Sequence, residues 1–326
     1  MRLFVLVSLI FKLKEGAISV GDFTMIFGAI VTFSDTAQDL LQAILALNIF
    51  SGFMTDYRKC MALPEVQETA GTEELCGGNC EIEFKNVWFR YTGVAEDTYA
   101  LKDINVVLKP KEKISVVGFN GAGKTTIINL LMRFYDPDSG RVLIDGQDIR
   151  TIDHETLREK FGVVFQNDFI TEGTIADNIR FFRPLEGEDL EKAAQNAQAE
   201  FIREKDGQME ATVAVRGNNL SGGQKQRLLI GRALAADPEI LILDDASSAL
   251  DYQTDANLRR ALRENYRHTT TVMVAQRVSS LRHADLILVL DDGCVAAQGT
   301  HEELLRTCGI YRDVYESQQE GVEDNG

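Results

Sequence analysis

The pattern of apolar and polar positions divides the chain into unlike parts. Between residues 23 and 55 the only charged side chains are Asp35 and Asp39. At ~1.5 Å per helical residue this stretch is long enough to cross a ~30 Å hydrocarbon layer and continue beyond it. It predicts a membrane helix with a cytoplasmic extension. A soluble amphipathic helix is the alternative, because the uninterrupted apolar run over residues 23–34 is by itself too short to span. Asp35 and Asp39 share one helical face, which is expected to line a polar path or meet partner helices, since acids facing lipid are costly. The preceding MRLFVLVSLIF resembles a signal peptide in hydropathy, but KLKEG stands where a small-residue cleavage site belongs. It reads as the end of another membrane helix. That reading puts Lys12 and Lys14 on the side opposite the globular part, against the positive-inside tendency.

A polar, Gly-containing linker covers residues 63–80, and the alternating pattern EIEFKNVWF then opens a globular part over residues 81–317. Short β-rich runs alternate with helical ones: ISVVG precedes KTTIINLLMRF, and ILILD precedes TDANLRRALREN. This order predicts an α/β domain with a mostly parallel sheet. In THEELLRT, Thr300 and Glu303 form a capping box, which makes His301 a first-turn helix residue. Residues 318–326 read as a solvated acidic tail.

Composition narrows the function. The 326 residues, 44% hydrophobic, suffice for one large core and a smaller element. With 50 acidic against 34 basic side chains the formal charge is -16 and no basic block stands out, so nucleic acid is not an expected ligand. The five cysteines lack the dense spacing of a secreted disulfide scaffold and fit a reducing compartment. Cys76 and Cys80 have no second Cys or His pair nearby, so they read as linker thiols and not as a zinc site.

The chemistry is concentrated in three motifs. Residues 118–126 read GFNGAGKTT, between the strand pattern ISVV and a helix pattern. Gly118, Asn120, Gly121, Ala122 and Gly123 let backbone N–H groups wrap phosphates at the start of a helix. Lys124 reaches the β- and γ-phosphates, Thr125 suits Mg²⁺, and Thr126 continues the loop into the helix. This is a P-loop in its required context. The apolar strand ILIL then serves as its partner, delivering Asp244 to the phosphate-bound metal. Between them LSGGQ, followed by KQR, sets Ser221, Gly222, Gly223 and Gln224 at a second helix start fit for phosphate. One nucleotide site does not need two such starts, so this one is expected to serve another molecule.

The P-loop, LSGGQ, DDASSALD and FYDPDSGRVLIDGQDIR together resemble an ATP-binding cassette (ABC) domain, and the preceding membrane helix is similar to the exporter branch of ABC transporters. The likeness covers about residues 16–316. It implies a P-loop NTPase of ABC type, with a mostly parallel sheet core, an antiparallel β subdomain and an α-helical signature subdomain. Residues 1–62 would then be the C-terminal part of a membrane domain. It also implies ATP and Mg²⁺ as cofactors, with Tyr91 stacking on adenine (a plain core aromatic is the alternative) and Gln166 sensing Mg²⁺ and water. The segment ending at Asp251 would join two sites across a head-to-tail pair of cassettes.

The sequence departs from that pattern at three places. Active members carry glutamate where Asp245 stands. The two acids have intrinsic pKa values of about 3.9 and 4.3, so the difference is reach, about 1.5 Å for one carbon–carbon bond. Gln276 replaces the γ-phosphate histidine and can neither become cationic nor relay a proton. His268 and His283 lie too far along the chain to substitute. Thr212 stands where exporters usually have glutamate before LSGGQ, which puts coupling through that loop in doubt.

The expectation is an ATP-binding subunit of a heterodimeric exporter in a cell membrane, its nucleotide-binding domain cytoplasmic. Its own site would be weakly hydrolytic, and its LSGGQ lent to a second half-transporter. A homodimeric active exporter and a non-hydrolysing regulatory module are the alternatives. A chromosome-maintenance ATPase is disfavoured, because no sustained heptads separate P-loop and LSGGQ. A full half-transporter carries six membrane helices, so the chain reads as a truncated frame or fragment not expected to transport alone. Its cargo is not legible.

Overall fold

The computed structural model describes residues 2–62, 71–75, 78–93, 98–166, 168–246, 248–274 and 281–323, which fall into two units, residues 1–68 and 69–326. In the first, helix α1 (Arg2–Lys14) is followed by α2 (Val20–Met61). Ser19 starts α2: its hydroxyl accepts the Asp22 N–H at 3.1 Å, and the Asp22 carboxylate accepts the Ser19 N–H at 3.0 Å. None of α2 is buried, and it is long and apolar enough to cross a membrane. Ser34, Thr36 and Thr55 donate their hydroxyls to Ile30, Thr32 and Ser51 carbonyls one turn back, at 2.8, 2.9 and 2.8 Å. Polar hydrogens met inside the helix in this way are what a hydrocarbon environment demands.

The second unit is built on two sheets. One is antiparallel, in the order β2 (Leu101–Leu108), β1 (Ile82–Phe89), β4 (Ser139–Ile144), β5 (Gln147–Asp148). The other runs β12 (Cys294–Gly299), β11 (Leu286–Asp291), β3 (Lys113–Gly118), β10 (Thr270–Val274), β9 (Ile240–Asp244), β6 (Phe161–Val164). It is parallel except for β12. The expected α/β fold with a mostly parallel sheet is therefore present.

Strand β9 shows why ILIL is apolar without a break. Ile240 and Ile242 point into a core shared with α3 (Lys124–Leu131), β3 and the antiparallel sheet. Leu241 and Leu243 point the other way, into a core made with α5 (Ile175–Arg180), α6 (Gly187–Asn196) and α7 (Gly222–Leu234). A strand covered on both faces has no polar side to show, and its alternation of side-chain direction links the two cores.

The folded unit begins before Glu81. The Glu73 N–H donates to the Thr151 carbonyl at 3.1 Å and the Asp153 N–H donates to the Glu73 carbonyl at 3.0 Å, pairing this segment in parallel with Ile152. Cys80, read from the sequence as a linker thiol, is 1% exposed and donates its S–H to Glu239 Oε2 at 2.9 Å. Lys160 closes the cluster on Glu239 Oε1 at 2.5 Å, and Asp145 accepts the N–H groups of Cys80 and Glu81 at 3.1 and 2.9 Å. Cys76 lies outside the described residues. At the other end the helix Gly309–Glu323 carries regular backbone into the stretch read as a tail. The Thr300 capping box is present, its N–H bonded to Glu303 at 2.9 Å, with His301 in the first turn.

Candidate functional site: a P-loop beside a buried acid

Strand β3 ends at Gly118 and α3 begins at Lys124, so the P-loop fills the gap between the carboxyl end of a central strand and a helix start. Gly123 is the helix N-cap with φ +100°, and no side chain caps the first turn. Among the described residues the first-turn N–H groups of α3 have no side-chain cap, which suits an anion. Asn120 and Gly121 are exposed at the loop's tip, whereas Ala122, Gly123 and Thr126 are buried. Lys124 Nζ donates to the Gly118 and Phe119 carbonyls at 2.8 Å each. Burial holds its pKa below the usual lysine range, and the negative charges of Asp244 and Asp245 oppose that shift.

Asp244 closes β9 and is 3% exposed. Strand β10 lies between β9 and β3, with Val274 opposite both Asp244 and Val116, and this register sets the acid beside the P-loop. Thr125 Oγ1 donates to Asp244 Oδ2 at 3.4 Å. Loss of hydration raises the Asp244 pKa, the Thr125 hydrogen bond opposes this, and the Asp245 charge adds to the rise. A desolvated carboxylate with an acidic neighbour is stabilised by a cation, and a hydroxyl with a carboxylate is an oxygen set that suits Mg²⁺. Among the described residues no group of three or more His, Cys, Asp or Glu could hold a metal. A cation here would rest on Thr125, Asp244 and the ligand's own phosphates. Asp245 follows, half-buried, in left-handed backbone at φ +55°.

Other residues singled out from the sequence stand as follows. Tyr91 is half-buried beside the first turns of α3: its hydroxyl donates to Thr126 Oγ1 at 3.2 Å and accepts from Asn129 Nδ2 at 3.1 Å. Its ring meets Phe89 and Tyr135 nearly edge to face, with centroids 4.9 and 5.2 Å apart. Gln166 is exposed two residues beyond the end of β6. Gln276 lies outside the described residues. Asp251 caps α8 (Tyr252–Asn265), accepting the Thr254 N–H and hydroxyl at 2.8 Å each, and these bonds hold its pKa below the ordinary carboxylate range.

The signature sequence starts α7. Ser221 Oγ accepts the Gln224 N–H at 3.3 Å and Gln224 Oε1 accepts the Ser221 N–H at 3.0 Å, so two of its five residues cap each other. Ser221 and Gly222 are exposed, while a Cβ on Gly223 would stand 3.1 Å from the Ala249 carbonyl oxygen. The signature helix thus packs against the segment after Asp245. Sequence reasoning assigned no role to Gln226, which bridges the two: its side-chain amide bonds to the Asp245 carbonyl and to the Ala249 N–H. The only local signal was its place in KQR.

Comparisons with known proteins agree with this geometry. Over 311 residues, 94% of this chain and 52% of the relative, the chain is 36% identical to the ATP-dependent lipid A-core flippase of Methylobacillus flagellatus. It is 39% identical over 267 residues to the beta-(1→2)glucan export ATP-binding/permease protein NdvA of Agrobacterium fabrum, covering 81% of this chain and 45% of that one. A solved bacterial Atm1-family ABC exporter with ATP bound superposes with a TM-score of 0.75 at 34% identity, covering 92% of this chain and 53% of that one. The chain thus spans about half the length of these relatives. Residues 101–248 match the family described as ABC transporter, and the chain therefore carries that family's α/β nucleotide-binding domain.

Proposed function

We propose that the chain is the ATP-binding component of a membrane exporter, with its nucleotide-binding domain in the cytoplasm. The observation that carries this reading is the 3.4 Å approach of the P-loop Thr125 to the buried Asp244 beneath an uncapped helix start. Gly118, Asn120, Gly121, Ala122 and Gly123 supply backbone donors to the phosphates, and Lys124 neutralises them. Thr125 and Asp244, with Gln166 at the end of the neighbouring strand, would hold Mg²⁺, which would supply charge neutralisation for the bound phosphates. Tyr91 contacts adenine. Its fixed hydroxyl and its place against α3 support this, because they hold the ring close to the loop.

Hydrolysis at the chain's own site is slow. Asp245 orients the attacking water poorly, because its carboxylate is about 1.5 Å shorter in reach than glutamate and ~1 Å of misplacement can cost ~10²-fold in rate. Gln276 offers a hydrogen bond to the γ-phosphate without positive charge. A second half-transporter, distinct in sequence, binds head to tail and receives Ser221, Gly222, Gly223 and Gln224, with Asp251 at the junction. The exposure of Ser221 and Gly222 supports such a loan. The relatives' printed names, a lipid A-core flippase and a glucan exporter, support export across a membrane as the class of work. A homodimeric exporter is the second reading: Asp245 retains a carboxylate close enough to bear on the Lys124 pKa.

Two measurements test the reading. Calorimetric titration with Mg-ATP should give binding for the wild type and little heat for Lys124→Ala; equal heats would remove the assignment. Asp245→Glu should raise steady-state ATPase by ~10- to 100-fold if reach limits the site. A wild type already turning over at the variant's rate would favour the homodimeric exporter.

A further inference from the structure

Gln226 stands two residues beyond the signature sequence, on the second turn of α7, and is half-buried. Its Nε2 donates to the Asp245 carbonyl at 3.1 Å and its Oε1 accepts the Ala249 N–H at 2.8 Å. Ser248 Oγ donates to the same Asp245 carbonyl at 3.0 Å and lies 3.5 Å from the Gln226 amide nitrogen. A backbone carbonyl only accepts and a backbone N–H only donates, so a side chain spanning both must carry a donor and an acceptor side by side. A primary amide does this. Glutamate has no donor at neutral pH, lysine has no acceptor, and asparagine is shorter by a methylene.

The residue so held has unusual backbone. Asp245 has φ +55°, a left-handed conformation that few L-residues besides Asn and Asp adopt and that its surroundings help to fix. The direction in which the carboxylate leaves the backbone follows from that φ. Gly223 contributes from the same helix: a Cβ there would stand 3.1 Å from the Ala249 carbonyl oxygen, which would have to give by a few tenths of an ångström.

From this arrangement we infer that Gln226 is a positioning residue for the reaction: it locks the backbone of Asp245 to the signature helix, so the aim of the water-orienting acid depends on where that helix sits. The two ends of the chain's chemistry are then one mechanical unit. When Ser221 and Gly222 engage a nucleotide held by another subunit, α7 carries Asp245 with it, and hydrolysis in one site answers to occupancy of the other. The inference rests on the reading of Asp245 given above.

The chain reconstituted in lipid nanodiscs at two copies per disc, so that each copy can lend LSGGQ to the other, provides the test. Steady-state ATPase is measured for the wild type, Asp245→Glu and Asp245→Asn, each alone and combined with Gln226→Glu or Gln226→Met, and ATP binding is measured in parallel. In the Asp245→Glu background both Gln226 variants should lower kcat by about 10-fold or more, with KM for ATP and ATP affinity within about twofold, and in the Asp245→Asn background they should change nothing further. A purely structural role would lower ATP binding and kcat together. Unchanged kcat, or a loss that persists undiminished in the Asp245→Asn background, overturns the inference while leaving the reading of Asp245 in place. If Asp245→Glu and Asp245→Asn both turn over at the wild-type rate, the reading of Asp245 itself falls, and the inference with it.

Discussion

The P-loop glycines are not equivalent, and alanine at two of them should separate folding from binding. Gly121 and Gly123 both have left-handed backbone, φ +84° and +100°. A methyl at Gly121 meets nothing within 4 Å, whereas one at Gly123 would stand 2.7 Å from Leu101 Cδ2 and 2.9 Å from the Ala100 carbonyl oxygen. Both substitutions incur the backbone strain of an L-residue, about 1–2 kcal/mol. Gly123→Ala adds overpacking of about 1–3 kcal/mol, because the Ala100 carbonyl is backbone and cannot turn aside as a flexible side chain can. At about 2–4 °C per kcal/mol for a unit of this size, Gly123→Ala should melt about 2–12 °C below Gly121→Ala. ATP affinity need not follow stability: Gly121→Ala, milder in the melt, places its methyl at the exposed tip and should still lose ~10-fold or more in binding, about 1.4 kcal/mol. Thermal melts of the purified chain with calorimetric ATP titration measure both quantities. Equal melting temperatures, or undiminished binding by Gly121→Ala, would refute the division of labour between the two positions.

The remaining predictions concern residues whose bonding is now explicit. Burial first, and then the hydrogen bond and charge of Glu239, push the Cys80 thiol up to about 12; because this folded-state value lies above the ordinary ~8.5, stability present below pH ~8.5 is lost as pH rises toward 12. Relative to Cys80→Ser, which does not titrate there, the wild type should therefore lose stability from about pH 9 upward; at pH 8.5 iodoacetamide should modify exposed Cys294 and reach Cys80 only on unfolding, and alkylation at equal rates would contradict the burial. Ser221→Ala removes a helix cap worth about 1 kcal/mol, which Ser221→Asp keeps. If both variants lose ATPase activity while only alanine lowers the melting temperature, Ser221 acts on nucleotide, whereas activity retained by Ser221→Asp would reduce its role to capping.

Much of the fold and site could be read locally. The S/T-x-x-E/Q/D boxes at Ser19, Ser221 and Thr300 bond to the third residue along, and Lys124 bonds back only five and six residues, so their signals survive in sequence. The uninterrupted ILIL run announced a strand covered on both faces. Asp251 was read only for the junction, although a helical pattern follows it directly and its carboxylate caps α8. Here a local signal was present and the expected function overshadowed it.

What lay beyond the sequence shares one feature, long separation along the chain. Cys80 meets Glu239 across 159 residues, Thr125 meets Asp244 across 119, and Gln226 reaches Asp245 and Ala249 from a different element. Such pairs depend on strand order and register, here on β10 lying between β3 and β9, and no periodicity or motif encodes the order in which a sheet assembles. The sequence by itself determined the chemical inventory, because a phosphate loop, a helix cap and a buried strand each need particular residue types at short fixed spacings. The tertiary structure alone decided that the linker cysteine is a core thiol, that Asp245 sits in left-handed backbone, and that one glutamine ties it to the signature helix, because burial, backbone angle and bonding partner belong to a position in space.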